Sequence, residues 1–268
     1  IAKWSKKYKF QTIYYIAPQL WAWNEKKIKK IKKYIDSLYV ILPFEKEFFE
    51  TKHKYPVKFL GHPLLDSISN FKKNYDSSSE QIITNKKAVI AILPGSRKQE
   101  IKKILNTVIK IVDYFPDHQF IVAGAPNIEL SYYKSILKNK KIKVIENKTY
   151  EILSISTAAI VTSGTATLET ALFKVPQVVC YKSSYFSYFI AKLIVNIKYI
   201  SLVNLIMDQQ IVKELIQQDC NKDKIRNELE KILDLNNKKS LQIKYDELTS
   251  ILGNNGTSKR VALDIIKK

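Results

Sequence analysis

Cysteine is almost absent from this chain, which has only Cys180 and Cys220 among 268 residues. Two cysteines cannot build a disulfide scaffold, and no paired Cys/His spacing indicates a zinc site, so a reducing cytosol is the expected setting. Glycine is also scarce: the six glycines show no period, which excludes collagen and repeat arrays. Hydrophobic residues make up 46% of the chain, too many for a disordered protein. These values predict one large folded domain or two modest ones.

Long apolar runs are missing too. A membrane-spanning helix needs about 20 predominantly apolar residues. The best candidate, residues 185–207, is interrupted by Lys192 and Lys198. The sequence begins at Ile1 rather than at methionine, and it has few strand patterns before residue 70. We therefore expect this sequence to be part of a longer chain.

Four motifs that would indicate other enzyme classes do not occur. The absence of GxxxxGK(S/T) and of GxGxxG disfavours P-loop NTPases and dinucleotide-dependent dehydrogenases. No DxD pair is present to hold a metal ion on a nucleotide diphosphate. No GxSxG sequence indicates the nucleophile turn of a serine hydrolase.

Arginine is scarce, although the chain is strongly basic. Lys and Arg total 45 against 25 Asp and Glu, which gives a net charge of +20, yet only Arg97, Arg226 and Arg260 are arginines. Abundant Lys, Ile, Asn and Tyr are typical of an AT-rich coding sequence, whereas specific phosphate binding usually uses the planar arginine fork. The lysine excess is weak evidence for nucleic-acid binding, and contact with anionic lipid headgroups is at least as well supported.

Short apolar runs alternate with amphipathic stretches along most of the chain, which predicts an α/β fold of βαβ units with parallel sheets. We predict strands at residues 12–16, 38–42, 57–60, 88–93, 120–123, 142–145, 158–161 and 178–181. We predict helices at residues 24–34, 43–50, 98–114, 129–138, 150–156 and 166–173. The C-terminal third is predicted to be wholly helical, with helices at 211–218, 222–235, 240–252 and 258–268.

One candidate binding turn is Pro94-Gly95-Ser96-Arg97, which lies between a predicted strand and a predicted helix. Ligands of open parallel sheets bind at the carboxyl ends of the strands. Gly95 allows the backbone to approach a ligand closely, and Ser96 is expected to cap the helix. Arg97 and the positive end of the helix dipole would both attract a phosphate. The alternative is an ordinary turn with a capping serine and a solvated arginine.

A second turn of the same kind is Ser163-Gly164-Thr165, followed by Thr167 and Glu169. Small hydroxyl residues around a glycine leave several backbone N–H donors exposed, as a pyrophosphate requires. Glu169 lies in the first helical turns, where its carboxylate could accept hydrogen bonds from two sugar hydroxyls. The alternative is a capping box, with Ser163 or Thr165 as the N-cap and Glu169 supporting the helix dipole.

Two further residues are candidates on weaker evidence. His62 follows a predicted strand, so its imidazole would lie at a sheet edge where it could face a ligand. Trp21 and Trp23 also follow a predicted strand. Core packing explains these tryptophans, and so does contact with an acyl chain or a membrane interface.

Six short strings together resemble the lipid-A-disaccharide synthases, a family of inverting glycosyltransferases with the GT-B fold. They follow the family's order across the whole chain, and they are YIAPQLWAW at 15–23, LPFE at 42–45, FLGHP at 59–63, ILPGSR at 92–97, SGTATLE at 163–169 and SLVNL at 201–205.

The resemblance implies a fold of two Rossmann-like lobes. Residues 1–70 would be the C-terminal part of the N-terminal, acceptor-side lobe, and residues 71–87 a linker. Residues 88–235 would form the lobe that binds the UDP-sugar, and residues 236–268 would be helices that cross back toward the first lobe. The N-terminal lobe would then be incomplete, and we expect the general base of the reaction ahead of Ile1.

The resemblance also implies a reaction, the joining of UDP-2,3-diacylglucosamine to 2,3-diacylglucosamine 1-phosphate by a β-1,6 bond with release of UDP. It implies no metal ion, no cofactor and no nucleic acid. The protein would be cytoplasmic and associated with anionic lipid of the inner membrane of a Gram-negative bacterium. Whether it forms a homodimer is left open by the resemblance. The donor would be bound by Gly95, Ser96, Arg97, Ser163, Gly164, Thr165, Thr167, Glu169 and Asn204, with His62 and Trp21 at the cleft between the lobes.

One departure from the family pattern follows the SLVNL string. The family usually has Ala-Gly-basic-Glu there, whereas this chain has Met207-Asp208-Gln209-Gln210. Two alternatives to the synthase stay open on the sequence alone. A hydrolysing UDP-sugar 2-epimerase would share the fold and the nucleotide site, and a non-catalytic basic protein that binds membranes or nucleic acid would share only the charge.

Overall fold

The computed structural model describes residues 1–75, 87–138, 142–162, 164–182 and 198–267. These residues form two compact units. The first unit contains residues 1–70 and 249–267, and the second contains the other described residues.

The first unit is built on a three-stranded parallel sheet in the order β1-β2-β3, as the apolar runs predict. Its elements are α1 (Ala2–Lys7), β1 (Ile13–Tyr15), α2 (Leu20–Trp23), α3 (Ile28–Tyr34), β2 (Ser37–Val40), α4 (Pro43–Glu47) and β3 (Lys58–Phe59). The helix α5 (Leu64–Asn74) follows. All four residues of β2 are buried, because this central strand has a neighbour on each side and helices pack on the sheet.

The second unit is built on a six-stranded parallel sheet in the order β6-β5-β4-β7-β8-β9. Its elements are β4 (Ala88–Leu93), α6 (Lys98–Val108), β5 (His118–Gly124), α7 (Leu130–Leu137), β6 (Lys143–Glu146), α8 (Thr149–Ser154), β7 (Ser156–Thr162), α9 (Thr165–Leu172), β8 (Gln177–Tyr181), α10 (Leu202–Met207), β9 (Lys213–Ile216) and α11 (Lys222–Leu233). The last two helices of the chain are α12 (Leu235–Leu252) and α13 (Thr257–Ile266).

The strand β4 separates two hydrophobic cores. Ile90 and Ile92 pack into one core with residues of α6 and α11, whereas Val89, Ala91 and Leu93 pack into the core on the opposite face. Because β4 is covered on both faces, its sequence is a continuous apolar run rather than an alternating one. This property is what allows β4 to be predicted with its observed bounds, residues 88–93.

The strand order places β4 beside β7, although two strands separate them in the chain. Successive connections from these two strands lead to opposite sides of the sheet, which is the topological switch point of a doubly wound fold. The crevice at such a point is where open α/β sheets bind ligands. The two turns singled out in the sequence follow β4 and β7, the strands that flank the switch point.

Two predictions of secondary structure are wrong, and one predicted domain boundary overlaps a helix. Residues 211–218 do not form a helix, since Lys213–Ile216 pair with β8 as the edge strand β9. The apolar pattern of this short segment fits either structure, and the pairing that buries Leu215 decides in favour of the strand. The predicted linker 71–87 begins with helix, because α5 continues to Asn74. The predicted helix 98–114 ends as an α-helix at Val108.

Candidate functional site

A cavity of about 720 Å³ lies at the carboxyl ends of the strands in the second unit. This volume is in the range of small-molecule sites, which is about 300–1,000 Å³. Gly95, Ser96, Arg97, Gly164, Thr165 and Glu169, all predicted to bind the donor, line the cavity. Ser163 lies outside the described residues. The other lining residues are Leu93, Pro94, Glu100, Ala123, Gly124, Ala125, Pro126, Asn147, Thr149, Thr162, Ala166 and Tyr181.

Gly95 adopts a backbone conformation that favours glycine, with φ at +92°. A Cβ atom at this position would lie 3.1 Å from Oε2 of Glu100 and 3.4 Å from the methyl carbon of Thr162. The residue that precedes α6 as its N-cap is Arg97, and no side chain caps the helix. The prediction that Ser96 caps this helix is therefore wrong, because the chain enters the helix one residue later.

Arg97 is the arginine at the cavity, and its side chain is 79% exposed. Its guanidinium donates a hydrogen bond of 2.9 Å to Oε1 of Glu100, whose side chain is only 15% exposed. An ion pair with one partner in solvent contributes little to stability, about 0–1 kcal/mol. A phosphate group could therefore compete with Glu100 for the guanidinium at low cost.

The second turn is shaped by Gly164, the N-cap residue of α9, with φ at +125° and ψ at −156°. Because the N-cap residue is this glycine, the capping-box alternative with Thr165 as the N-cap is wrong. The hydroxyl of Thr167 donates a 2.8 Å hydrogen bond to the carbonyl of Gly164 and accepts a 3.2 Å bond from the Leu202 N–H. Thr167 is fully buried and does not line the cavity. Its hydroxyl therefore stabilises the turn through the Gly164 carbonyl, without lining the cavity.

Glu169 is the carboxylate at the cavity wall next to this turn. The phenol of Tyr150 donates a 3.1 Å hydrogen bond to its Oε1. Burial raises the pKa of Glu169 above its usual value, and the hydrogen bond from Tyr150 acts in the opposite direction. Burial and the neighbouring carboxylate also raise the pKa of Tyr150, so the phenol keeps its proton and donates.

Asn204, which is predicted to contact the nucleotide, does not line the cavity. Its side chain is fully buried. Its Nδ2 donates to the Val212 carbonyl and to Oε1 of Glu214, and its Oδ1 accepts from the N–H groups of Ile211 and Val212. These four bonds, at 2.8–2.9 Å, use the whole hydrogen-bonding capacity of a primary amide. Asn204 therefore ties α10 to the start of β9.

His62 and Trp21 both lie in the first unit. His62 is buried, its Nδ1 accepts a 3.2 Å hydrogen bond from the Leu64 N–H, and no described residue donates to or accepts from its Nε2. Trp21 donates from Nε1 to Oε1 of Glu45 at 3.1 Å, and its ring packs edge-on against Phe44. Burial raises the pKa of Glu45.

His62 should make the stability of the protein depend on pH. Burial lowers its pKa from 6.5 to about 4, so between these values the unfolded chain binds a proton that the folded chain does not. Stability from His62 is therefore present above pH 6.5 and lost as the pH falls toward 4, by at most about 1.4 kcal/mol per pH unit. We expect a smaller loss between pH 7 and 5 in His62→Gln than in wild type by urea unfolding. Equal losses would contradict this assignment.

Sequence reasoning missed Glu100, Asn147, Thr149 and Tyr181 as cavity residues. Asn147 and Thr149 directly follow β6, and Tyr181 ends β8. The rule that singled out the turns after β4 and β7 applies equally to these strand ends, so it could have found three of these four. Glu100 does not follow a strand, so this rule does not single it out. It lies near Gly95 because the first turn of α6 places it there.

Within residues 1–75, 87–138, 142–162, 164–182 and 198–267, no group of three or more His, Cys, Asp or Glu side chains is arranged to hold a metal ion. Over the same ranges, no helix combines the length and the hydrophobicity that crossing a membrane requires.

Solved structures of known proteins share this architecture. The UDP-GlcNAc 2-epimerase from Neisseria meningitidis bound to UDP-GlcNAc superposes with a TM-score of 0.64 at 13% identity, over 100% of this chain and 72% of that one. The glycotransferase of kitacinnamycin superposes with a TM-score of 0.63 at 11% identity, over 98% of this chain and 72% of that one. At such identities the likeness concerns the fold alone, and it confirms the GT-B class of parallel α/β proteins.

Sequence comparison identifies the family within this class. The family described as Lipid-A-disaccharide synthetase matches residues 1–263. The lipid-A-disaccharide synthase of Persephonella marina is 36% identical over 283 aligned residues, which cover 100% of this chain and 74% of that protein. The chain therefore belongs to the lipid-A-disaccharide synthetase family, as the six strings predict. It is a glycosyltransferase of lipid A disaccharide synthesis.

Proposed function

We propose that this protein transfers a diacylated glucosamine from UDP-2,3-diacylglucosamine to 2,3-diacylglucosamine 1-phosphate and releases UDP. The new bond would be a β-1,6 glycosidic bond, and the product lipid A disaccharide 1-phosphate. The observation that carries the proposal is the meeting of two glycine turns, after β4 and β7, in one cavity at the switch point of the sheet. Family membership supports the acylated sugars as the substrates.

The leaving UDP would be stabilised by the two turns and Arg97. The cavity is lined by residues at the N-terminal ends of α6 and α9, which have 11 and 8 residues. Backbone N–H groups and the helix dipole at such ends favour anions. Negative charge builds up on the diphosphate as the glycosidic bond breaks, and fixed donors aimed at this charge lower the barrier. Gly164 and Thr165 would bind the pyrophosphate, and Gly95, Ser96 and Arg97 would contact the diphosphate side of the donor.

The uridine ribose would be bound by Glu169. Its carboxylate lines the cavity and has one oxygen engaged by Tyr150. A carboxylate can accept further hydrogen bonds, so the hydroxyls of a ribose are suitable partners. Thr167 would contribute indirectly, by holding the Gly164 carbonyl. We assign no residue of this chain as the general base.

The reaction can be tested by product analysis. The protein is incubated with UDP-2,3-diacylglucosamine, with and without 2,3-diacylglucosamine 1-phosphate. The products are separated, identified and quantified by mass spectrometry. We expect UDP and the disaccharide 1-phosphate in equal amounts, and only when the acceptor is present. UDP release that does not depend on the acceptor, accompanied by an epimerised free sugar, would instead identify a hydrolysing epimerase.

Because the proposed substrates are lipids, we also propose that the protein works in the cytoplasm at the surface of the inner membrane. Homodimer formation is a further prediction. The first unit exposes Trp4, Phe10 and Trp23, with side chains more than half accessible, amid many lysines. Exposed aromatic rings and lysines together favour an interface with anionic lipid.

Membrane contact of this kind predicts salt-sensitive binding to lipid vesicles. We expect the protein to cosediment with vesicles that contain anionic phospholipid and to dissociate as salt screens the charges. Neutral vesicles should bind less. Equal binding to both kinds of vesicle would count against the charged surface, and binding to DNA alone would favour a nucleic-acid partner.

A further inference from the structure

Glu169, which lines the cavity, is contacted by a tyrosine that does not itself line the cavity. Tyr150 lies in α8, which follows β6. Its phenol donates a 3.1 Å hydrogen bond to Oε1 of Glu169. The sequence of the turn after β7 gives no indication of this contact, because the two residues are 19 positions apart.

The ring of Tyr150 is held by two other aromatic residues of the second unit. Its centroid lies 5.5 Å from that of Phe71, with the rings nearly perpendicular, and 5.1 Å from that of Phe173. Phe71 and Phe173 also contact each other at 5.8 Å. Perpendicular and tilted aromatic pairs at these distances are favourable. The cluster therefore restricts the ring and aims the hydroxyl at Glu169.

This hydrogen bond matters because Glu169 is half-buried. Burial favours the neutral acid, whereas a donor to the carboxylate favours the ionised form. Among the described residues, Tyr150 is the hydrogen-bond donor to this side chain, and none of them donates to its Oε2. The carboxylate is thus oriented by one hydrogen bond and keeps acceptor capacity for hydroxyl groups at its other oxygen.

We propose that Tyr150 is a positioning residue that holds Glu169 with its second oxygen toward the ribose, and that this contact makes the site select ribonucleotides over 2′-deoxyribonucleotides. The proposal rests on the proposed function, since it takes UDP as the ligand. Tyr150 would act through Glu169 and not through direct contact with the nucleotide.

The test is calorimetric titration of wild type and Tyr150→Phe with UDP and with 2′-deoxy-UDP. We expect wild type to prefer UDP. In Tyr150→Phe the affinity for UDP should fall about tenfold, as loss of a hydrogen bond to a charged group implies, while the affinity for 2′-deoxy-UDP, which keeps only the 3′-hydroxyl, should fall less. A purely structural role would lower both affinities together. An unchanged ratio of the two affinities, or a wild type without any preference, would overturn the proposal.

The test requires that Tyr150→Phe folds, and two further variants, Tyr55→Phe and Glu169→Gln, serve as comparisons. Phenylalanine keeps the aromatic cluster, so Tyr150→Phe should fold, and circular dichroism checks this. Tyr55→Phe is a matched control in the first unit, because it removes a 2.8 Å hydrogen bond from a tyrosine hydroxyl to the Ile35 carbonyl, outside the cavity. It should leave the ratio of the two affinities as in wild type. Glu169→Gln should reduce the preference for UDP, and adding Tyr150→Phe to it should have no further effect on the ratio.

A pH series provides a second readout. Without the phenol, protonation of Glu169 should begin at higher pH, so affinity for UDP should decline earlier on acidification in Tyr150→Phe than in wild type. The ionisation of UDP itself is common to both proteins and cancels in the comparison. If wild type does not bind UDP at all, the proposed function fails; if it binds UDP and the two pH profiles coincide, the role of Tyr150 alone fails.

Discussion

Replacing Arg97 with alanine should weaken the binding of UDP between about tenfold and a hundredfold. A hydrogen bond to a charged group contributes about 1.5–3 kcal/mol, and the guanidinium is the group at the cavity best suited to a phosphate. The Arg97 side chain is 79% exposed, so its removal leaves no cavity in the core, although Glu100 loses its ion-pair partner. The measurement is a calorimetric titration with UDP, together with a thermal unfolding curve for each variant.

Two variants control the Arg97→Ala experiment. Arg97→Lys keeps the charge but loses the planar fork, so its affinity should lie between those of wild type and Arg97→Ala. Arg226→Ala removes an arginine of α11 whose guanidinium packs on the ring of Tyr114 and which does not line the cavity. It should bind UDP as wild type does. Equal affinity in wild type and Arg97→Ala would contradict the role given to this residue.

Gly164→Ala should reduce UDP affinity by about tenfold or more while the protein stays folded. The φ and ψ of Gly164, +125° and −156°, lie in a region that only glycine adopts without strain of about 1–3 kcal/mol. Apart from its neighbours in the chain, no atom of the described residues lies within 4 Å of the position that the new Cβ would occupy, so we expect the variant to fold. The backbone should relax instead, and this moves the N–H groups that the pyrophosphate requires. UDP titration and thermal unfolding separate the two effects.

Gly256→Ala is the matched control for Gly164→Ala. Gly256 also has a positive φ, +87°, it precedes α13 in the first unit, and it does not line the cavity. Its new Cβ would meet the flexible end of Arg260 at 3.3 Å. This variant should lose stability but keep its affinity for UDP. The turn assignment would be wrong if Gly164→Ala and Gly256→Ala bound UDP equally well.

The sheet of the second unit could be predicted well where its strands are buried on both faces. Continuous apolar runs such as residues 88–93 leave little choice, and glycine or serine after a run indicates the turn. The edge strand β9 could not be predicted in this way. Its residues Lys213 and Glu214 suit a helix equally well, and only pairing with β8 and the burial of Leu215 favour the strand.

The residues of the candidate site also divide into those that the sequence predicts and those that it does not. The turns around Gly95 and Gly164 could be predicted because their backbones must be glycine and their positions follow strands. The sequence cannot tell whether a polar side chain faces a cavity or the core. Asn204 was predicted at the nucleotide, yet four internal hydrogen bonds fix it. Tyr150 is the opposite case, because a contact across 19 residues brings it to Glu169.

Hydrogen–deuterium exchange with and without UDP tests most directly where the nucleotide binds. If UDP lies at the switch point between β4 and β7, the amides of residues 95–97 and 164–169 should exchange more slowly when UDP is present. Glu169 and Arg97 would both lie in protected peptides. Protection confined to other segments, such as those around β9 and α11, or no protection at saturating UDP, would contradict the proposed donor site.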